Sequence, residues 1–494
     1  MRSSGILLPV FSLPGKYGIG GFTKEAYKFV DFLKAAGQKY WQILPLGPTG
    51  YGDSPYQSFS TFAGNPYFID VEELVKEGLI TEEECKKYDA STEHGYIEYE
   101  KLYLNRFELL RLAFLRSDFK TSPEYQEFIG ENSYWLDDYA LFMAVKTSFD
   151  GKPWSEWDKD IRIRTSEALT KYKEELAEEC DFYRFQQFYF AKQWKALKAY
   201  ANQSGIEIIG DIPIYVAFDS SDAWANPELF DLDEENLPNK VAGCPPDPFA
   251  ATGQLWGNPL YNWDYHKETG YKWWISRIGY NFSLYDVIRI DHFRGFDEYY
   301  TIPYGDPTAE FGCWKKGPGL DLFEHINAAL GQRKIIAEDL GFLTDSVREL
   351  VKTTGYPGMK VLQFAFGGDP GNEYLPHSLS KNSVIYTGTH DNETTKGWYK
   401  RICDEEPYSK EYFDDYSGNE FIETAAPTMI RMAMSSVVDT CIILMADYLN
   451  LDNSARINTP STLGFNWNWR MKDGADSDEL AEEIKDITRI YGRL

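Results

Sequence analysis

Residues 287–295 read VIRIDHFRG, a β-branched apolar run that ends abruptly in Arg, Asp and His, followed by Gly. The run is short enough for a buried strand, and the carboxyl end of such a strand in α/β enzymes opens into the ligand crevice. The same pattern fits a buried structural ion pair between Arg289 and Asp291, because structural and catalytic pairs both perturb pKa values. The rest of the chain decides between these interpretations.

Seven other short apolar runs have the same form and end in polar residues. They occupy residues 5–10, 40–46, 206–215, 334–341, 360–366, 384–393 and 441–447. Helical patterns lie between most of the eight runs. Eight strands that alternate with helices and are polar at their carboxyl ends predict an α/β fold, a (β/α)₈ TIM barrel with its site at that end.

The spacing of the runs predicts one catalytic barrel domain over residues 1–494 with two insertions. Residues 70–203, after the second strand, carry charged amphipathic patterns and predict a mainly helical insertion. Residues 217–280, after the third strand, surround Trp256 with Gly and Pro and predict an irregular lid that carries an aromatic side chain. The chain ends in an acidic helix from about Ser477, so no C-terminal β domain is expected.

The composition limits the partners. The 494 residues include 77 Asp and Glu against 50 Lys and Arg, a formal net charge of −27. Such a surface repels phosphate backbones and anionic lipids, so nucleic acids and membranes are poor partners and a neutral ligand is easier to accommodate. Aromatic residues make up 16% of the chain. Their flat apolar faces suit sugar rings, although most of them are expected to fill the core.

The six cysteines are scattered along the chain without a close pair, so neither a disulfide framework nor a zinc knuckle is indicated. The N-terminal apolar run is too short for a secretory signal, and no later stretch is long enough to span a bilayer. A reducing cytoplasm is therefore the predicted compartment.

Four acids follow the predicted third, fourth, fifth and seventh strands, and they would meet at one mouth of the barrel. They are Asp211, Asp291, Glu338 and Asp391. Glycoside cleavage requires a pair of carboxyl groups, one a nucleophile and the other a general acid with a raised pKa. The alternative is a cluster of acids that binds a metal, but no His-x-x-His or EF-hand spacing accompanies these residues.

The neighbours of the acids suggest how the roles divide. Arg289 would keep Asp291 ionised, as a nucleophile must be. Glu338 follows three apolar residues and has no nearby base in the sequence, which suits a desolvated, protonated acid. His390 and Asp391 could hold the sugar hydroxyls whose hydrogen bonds tighten in the transition state.

Residues 288–295, 336–341 and 387–392 resemble the catalytic regions of the 4-α-glucanotransferases. These are the amylomaltases, or disproportionating enzymes, of glycoside hydrolase family 77 in the α-amylase superclan. The resemblance extends from Ser4 to about Arg470. The catalytic motifs alone would mark the wider α-amylase group, whereas residues 54–67, residues 245–259 and the missing C-terminal β domain single out the amylomaltases.

The resemblance implies roles for particular residues. Asp291 would be the nucleophile, Glu338 the acid/base and Asp391 a transition-state stabiliser. The subsite of the cleaved sugar would be lined by Arg289, His390, Asp211 and Tyr56. Three further residues would bind glucan more distantly: Trp256 by stacking on the acceptor side, Tyr51 in a remote glucan groove and Asn466 at a polar rim. The chain departs from its relatives at Ala250 and Ala251, where they often carry Ser and Glu, which affects donor length and acceptor control.

The predicted function is a retaining 4-α-glucanotransferase that cleaves α-1,4 bonds of maltodextrins through a glucosyl–Asp291 intermediate. The glucan would pass to the 4-hydroxyl of another glucan or of glucose, with no metal or organic cofactor. The expected partners are maltooligosaccharides and amylose, and the chain is expected to be a monomer or homodimer. Two alternatives stay open: an α-1,4-glucan hydrolase of the same superclan, and a non-catalytic glucan-binding protein.

Overall fold

The computed structural model describes residues 2–50, 52–93, 95–246 and 251–494. These residues contain twelve strands: β1 Ser3–Leu7, β2 Tyr40–Gln42, β3 Glu207–Ile212, β4 Lys240–Cys244, β5 Gln254–Pro259, β6 Val287–Ile290, β7 Glu298–Pro303, β8 Cys313–Lys316, β9 Ile335–Ala337, β10 Gly358–Val361, β11 Ser383–Tyr386 and β12 Thr440–Leu444. Eight of them close into a barrel in the order β1-β12-β11-β10-β9-β6-β3-β2. Every pair in the barrel is parallel, so the predicted TIM barrel is confirmed.

Each barrel strand overlaps one of the predicted apolar runs. The strands are near-continuous apolar segments because helices and core side chains cover both faces of a parallel sheet, as the fully buried β6 and β11 show. The observed strands are shorter than the runs. In the sixth run, β10 ends at Val361, and the 3₁₀ turn Leu362–Phe364 follows it. The apolar run is longer than the strand because Leu362, in this turn, is also buried.

Eighteen α-helices lie in the described part of the chain. They are α1 Lys24–Ala35, α2 Val71–Lys76, α3 Glu82–Lys87, α4 Tyr99–Arg116, α5 Pro123–Ser148, α6 Lys159–Arg162, α7 Ser166–Glu175, α8 Ala177–Gln203, α9 Ser221–Ala225, α10 Trp263–Glu268, α11 Lys272–Leu284, α12 Leu320–Leu330, α13 Asp345–Thr354, α14 Thr395–Glu405, α15 Pro407–Ser417, α16 Ile422–Ser435, α17 Met445–Tyr448 and α18 Asp478–Ile490. None of these helices is long and apolar enough to cross a bilayer.

The seven helices from α2 to α8 lie between barrel strands β2 and β3, where the sequence predicts a mainly helical insertion. The long helix α8 returns to the barrel and packs against both α1 and β3. It therefore takes the place of the ordinary helix between two barrel strands. At the other end of the chain, residues 445–494 contain α17, α18 and loops but no strand.

The segment after β3 is more regular than its Gly and Pro content predicts. Strands β4 and β5 lie in it and join β7 and β8 in a four-stranded antiparallel sheet of order β5-β4-β7-β8. The expectation of a wholly irregular lid was wrong, because β4 pairs with a strand from the next barrel connection, a non-local contact that local composition does not reveal. Trp256 lies on β5, an edge strand of this sheet.

The strand register places the chemistry at one end of the barrel. Asp211 on β3 is paired with Arg289 on β6, and Ile290 on β6 with Ala337 on β9. Asp291 directly follows β6, and Glu338 directly follows the neighbouring strand β9. Because parallel strands in register end at the same level, these side chains are neighbours in space although they are far apart in sequence.

Candidate active site

The centre of the site is a buried arginine between two carboxylates. Arg289 Nη1 lies 2.6 Å from Asp211 Oδ2, and its Nη2 lies 3.0 Å from Asp291 Oδ1. The side chains of Arg289 and Asp211 are only 3% and 0% exposed, whereas that of Asp291 is 29% exposed. One guanidinium thus neutralises a fully buried acid and orients an acid that faces the opening of the barrel.

Glu338 is held by two backbone donors. The N–H of His292 donates to Oε2 at 2.6 Å, and the N–H of Leu340 donates to Oε1 at 3.0 Å. His292 has the left-handed backbone angles φ 52° and ψ 47°, which turn the chain after β6 so that its N–H points towards the neighbouring strand. The Glu338 carboxyl therefore has a fixed position next to Asp291.

The two carboxyl groups differ in their proton affinity. Burial raises the pKa of Asp291 to about 6, although the positive charge of Arg289 opposes this. Burial and the negative charge of Asp291 raise the pKa of Glu338 further, to about 7. The prediction that Arg289 alone keeps Asp291 ionised was incomplete, because the effect of burial on the pKa of Asp291 is larger. Near neutral pH the pair favours a charged Asp291 beside a protonated Glu338.

Asp391 is the third acid, in the loop after β11. Its Oδ2 lies 3.2 Å from His390 Nε2, and its Oδ1 accepts a hydrogen bond of 2.6 Å from Asn458 Nδ2. Burial alone would raise the pKa of Asp391, but the charge of His390 and these two hydrogen bonds lower it to about 2. The same contact raises the pKa of His390 against the effect of its burial. Asp391 is therefore an anion throughout the neutral range.

Aromatic side chains line one side of the acids. Tyr56 OH donates to Asp211 Oδ2 at 2.8 Å, and its ring stacks on His390 with centroids 5.2 Å apart. Trp467 completes the group, 5.9 Å from the Tyr56 ring and 6.0 Å from the His390 ring. Flat rings next to charged acceptors form the kind of surface that binds a sugar by its apolar face and its hydroxyls.

The lid residue Trp256 packs on His292, the residue whose N–H holds Glu338. Its ring meets the His292 ring edge to face, with centroids 4.8 Å apart and an angle of 86°. The indole N–H donates to Gln254 Oε1 at 3.1 Å, which fixes the ring on β5. Because the His292 backbone also holds Glu338, His292 links Trp256 to the acid pair.

The other predicted binding residues have different positions. Asn466 Oδ1 accepts from the N–H of Thr459 at 2.9 Å, and its Nδ2 donates to the carbonyl of Thr462 at 3.0 Å, so the side chain is engaged within its own loop. Tyr51 and Ala250 lie outside the described residues, and Ala251 is exposed.

Two residues in contact with the acids did not emerge from the sequence. His292 directly follows Asp291 in the opening stretch, so its position could have drawn attention to it. Asn458 follows no predicted strand, and nothing local marks it as a neighbour of Asp391, 67 positions earlier. Within the described ranges, no group of three or more His, Cys, Asp or Glu side chains is arranged to hold a metal ion.

A TIM barrel with a charged carboxylate beside a protonated one at the carboxyl ends of its strands defines the class of barrel enzymes that act on glycosidic bonds. Comparison with known proteins gives the family. A family model described as 4-alpha-glucanotransferase matches residues 8–476. The 4-alpha-glucanotransferase of Clostridium butyricum is 51% identical over 489 residues, which cover 98% of this chain and 99% of the relative.

Other relatives agree with this match. The 4-alpha-glucanotransferase of Thermus thermophilus is 45% identical, with 100% of this chain and 99% of the relative covered. The solved structure of the amylomaltase from Streptococcus agalactiae in complex with acarbose has a TM-score of 0.96 and 42% identity, with both chains fully covered. The chain therefore belongs to glycoside hydrolase family 77, the 4-alpha-glucanotransferases, and the predicted transferase activity is confirmed at the level of the family.

Proposed function

We propose that this chain cleaves α-1,4 bonds of maltodextrins with retention, through a glucosyl ester of Asp291, and transfers the glucan to the 4-hydroxyl of a second glucan or of glucose. The observation that carries the proposal is the pair formed by Asp291 and Glu338. The two carboxyls follow paired residues on neighbouring strands, and their pKa values are about 6 and about 7. A charged nucleophile next to a protonated acid is what the first step requires.

In the first step, the Asp291 carboxylate attacks the anomeric carbon of the donor and forms the glucosyl ester. The bond from this carbon to the glycosidic oxygen breaks as Glu338 gives its proton to that oxygen. The leaving glucan carries away the proton and the bonding electron pair. Arg289 orients Asp291 for this attack through the 3.0 Å contact, and it offsets the charge of the neighbouring Asp211.

In the second step, Glu338 accepts the proton of the acceptor's 4-hydroxyl, and the oxygen of that hydroxyl attacks the anomeric carbon. The ester bond to Asp291 breaks, and both carboxyl groups return to their starting state. Water in place of the sugar would give hydrolysis. A lid that binds an acceptor and excludes water raises the effective concentration of the sugar hydroxyl and favours transfer.

The binding roles follow the two sides of the acid pair. Asp211, His390, Asp391 and Tyr56 lie together on one side, and we assign them to the sugar that is cleaved, with Asp391 stabilising the transition state. Trp256, beside His292, is assigned to the acceptor. The crystallised relative from Streptococcus agalactiae holds acarbose, which supports α-glucans as the ligands.

Two binding residues and the cellular compartment are assigned on other grounds. Tyr51 is proposed for a remote glucan groove on the basis of the family resemblance. Asn466 is proposed as a rim residue, through the loop that its side chain holds together. Five of the six cysteines, Cys85, Cys180, Cys313, Cys403 and Cys441, are free thiols, and they are compatible with the cytoplasm, which we propose as the compartment.

The test is an incubation of maltotriose with the wild type and with Asp291→Asn, followed by sizing of the products. The wild type should give glucose and a ladder of longer oligosaccharides, whereas Asp291→Asn should stay folded, bind glucan and give no ladder. Asp404→Asn, an exposed change on α14, is the matched control and should behave like the wild type. Near-normal turnover by Asp291→Asn would overturn the assignment. Glucose without longer products from the wild type would indicate a hydrolase, and no products at all would indicate a binding protein.

A further inference from the structure

Residues 456–458, after α17, hold the loop that carries His390 and Asp391 by hydrogen bonds. The backbone N–H of Asn458 donates to the carbonyl of His390 at 3.0 Å, and its side-chain amide donates to Asp391 Oδ1 at 2.6 Å. Arg456 adds two bonds from the same segment, one from Nη2 to the carbonyl of Asp391 at 3.0 Å and one from Nε to the carbonyl of Asn458 at 2.8 Å. The backbone of residues 456–458 is thus fixed, and the Asn458 side chain contacts the Asp391 carboxylate.

Each oxygen of the Asp391 carboxylate has one partner, Asn458 on Oδ1 and His390 on Oδ2. A carboxylate oxygen accepts at two positions, so one position on each oxygen is left. The Asp391 side chain is 42% exposed, so a ligand can reach it. Two acceptors side by side match two neighbouring hydroxyls of a glucose ring.

The orientation of this pair of acceptors depends on both partners. Rotation of a carboxylate about its last torsion angle is only weakly restricted by the side chain itself. With His390 alone, the group could turn about its bond to the Oδ2 partner and lose alignment with the sugar. The amide of Asn458 prevents this turn, and because it is neutral it adds no charge to the site.

We propose that Asn458 is a positioning residue for Asp391, whose amide holds the carboxylate in the orientation that binds the hydroxyls of the sugar in the transition state. This inference rests on the proposed role of Asp391. The hydrogen bond is also one of the reasons why the pKa of Asp391 is low. Because the Asn458 side chain must donate a hydrogen bond to Asp391, its isosteric replacement by Asp should lower the activity more than the small change in shape suggests.

The first measurement compares kcat and KM for maltotriose disproportionation in Asn458→Ala, Asn458→Asp and the wild type. A catalytic group displaced by about 1 Å loses about 100-fold in rate, so Asn458→Ala should lose kcat by about that factor, with a smaller change in KM. Ser454→Ala is the matched control. Ser454 is exposed, lies four positions earlier in the same segment and bonds to Asp452, so its replacement leaves Asp391 untouched and should keep kcat within about twofold.

The second measurement is the pH dependence of the Asn458→Asp variant relative to the wild type at each pH. Two carboxyls at hydrogen-bond distance share one proton, and a protonated Asp at position 458 would again donate to Asp391. The charged and titratable groups around the Asp391 carboxylate are His390, Arg289, Asp291, Arg456 and Tyr56, and they are the same in both proteins. The ratio of variant to wild-type kcat should therefore rise as the pH falls from about 7.5 to about 5.5, which a purely structural defect would not produce.

Asp391→Asn separates this inference from the function on which it rests. If Asp391→Asn keeps near-normal activity, the proposed role of Asp391 is wrong. If Asp391→Asn is inactive but Asn458→Ala retains its kcat, the function stands and the positioning inference is overturned. Equal losses in Asn458→Ala and Ser454→Ala, or a flat activity ratio for Asn458→Asp, would also overturn it.

Discussion

Replacement of the proposed acid/base by its amide, Glu338→Gln, should remove activity and at the same time stabilise the protein at alkaline pH. The pKa of Glu338 is raised by burial and by Asp291 from its ordinary value of 4.5 to about 7 in the folded chain. Between these values the folded state holds a proton that the unfolded state has already lost. The stability of the wild type therefore falls as the pH rises from about 4.5 to about 7, and it stays lower above that range.

The size of the effect follows from the pKa difference. Each pKa unit corresponds to about 1.4 kcal/mol, so a rise from 4.5 to about 7 is worth about 3 kcal/mol of unfolding free energy. Glutamine keeps one carbonyl acceptor for the N–H groups of His292 and Leu340 but turns an NH₂ group towards the other, a loss of about 1–2 kcal/mol. The variant should be about 1–2 kcal/mol less stable than the wild type at pH 4 and about 1–2 kcal/mol more stable at pH 8.

The assay is chemical denaturation and thermal unfolding at pH values from 4 to 8. For a chain of this length, the expected change in Tm is about 1–2 °C, downward at pH 4 and upward at pH 8. Glu324→Gln on α12, where the side chain is exposed, is the control and should show no pH-dependent difference. A stability difference between Glu338→Gln and the wild type that is the same at every pH would refute the argument that burial of this carboxyl carries the effect.

Two other outcomes follow from the same site. The kcat/KM of the wild type should have a bell-shaped pH profile, falling below about 6 as Asp291 takes up a proton and above about 7 as Glu338 loses one; a rate that is constant from pH 5 to 8 would contradict the pair. Trp256→Ala should raise the share of hydrolysis, measured as glucose and reducing ends released per transfer, since we propose that the ring next to His292 binds the acceptor. Leu255→Ala changes the neighbouring residue on β5, 41% exposed, and should leave that share unchanged, whereas an unaltered share in Trp256→Ala would remove the lid argument.

The barrel and its acids could be predicted because both depend on local patterns. Parallel strands buried on both faces leave apolar runs, and each run that ends in Asp or Glu marks the functional end of the barrel. The neighbours Asp291 and Glu338 could be placed together once the number of strands was known. Their pKa values could not, since burial outweighs Arg289 at Asp291 and no feature of the sequence measures burial.

The parts that escaped prediction depend on contacts between distant segments. Strand β4 pairs with β5 and also with β7, which lies more than fifty positions later, whereas the Gly and Pro residues around β4 suggest a loop. Asn458 lies in an irregular segment without a periodic pattern. Its hydrogen bond to Asp391 forms because the segments that follow β11 and β12 meet. The Asn466 side chain is the reverse case, since the family resemblance suggests a ligand contact while the structure shows bonds within its own loop.

The location of Trp256 on an outer strand has a consequence for protein engineering. In the order β5-β4-β7-β8, strand β5 has one neighbour, so its residues can be varied without breaking a hydrogen bond of the barrel. From the acceptor role proposed for Trp256, we expect a library confined to β5 to change the second substrate that the enzyme accepts, while the side chains of Asp291 and Glu338 stay in place. Variation at Arg289, in contrast, would disturb Asp211 and Asp291 at once, so we expect changes on β5 to affect the choice of acceptor and changes at Arg289 to affect the rate of bond cleavage.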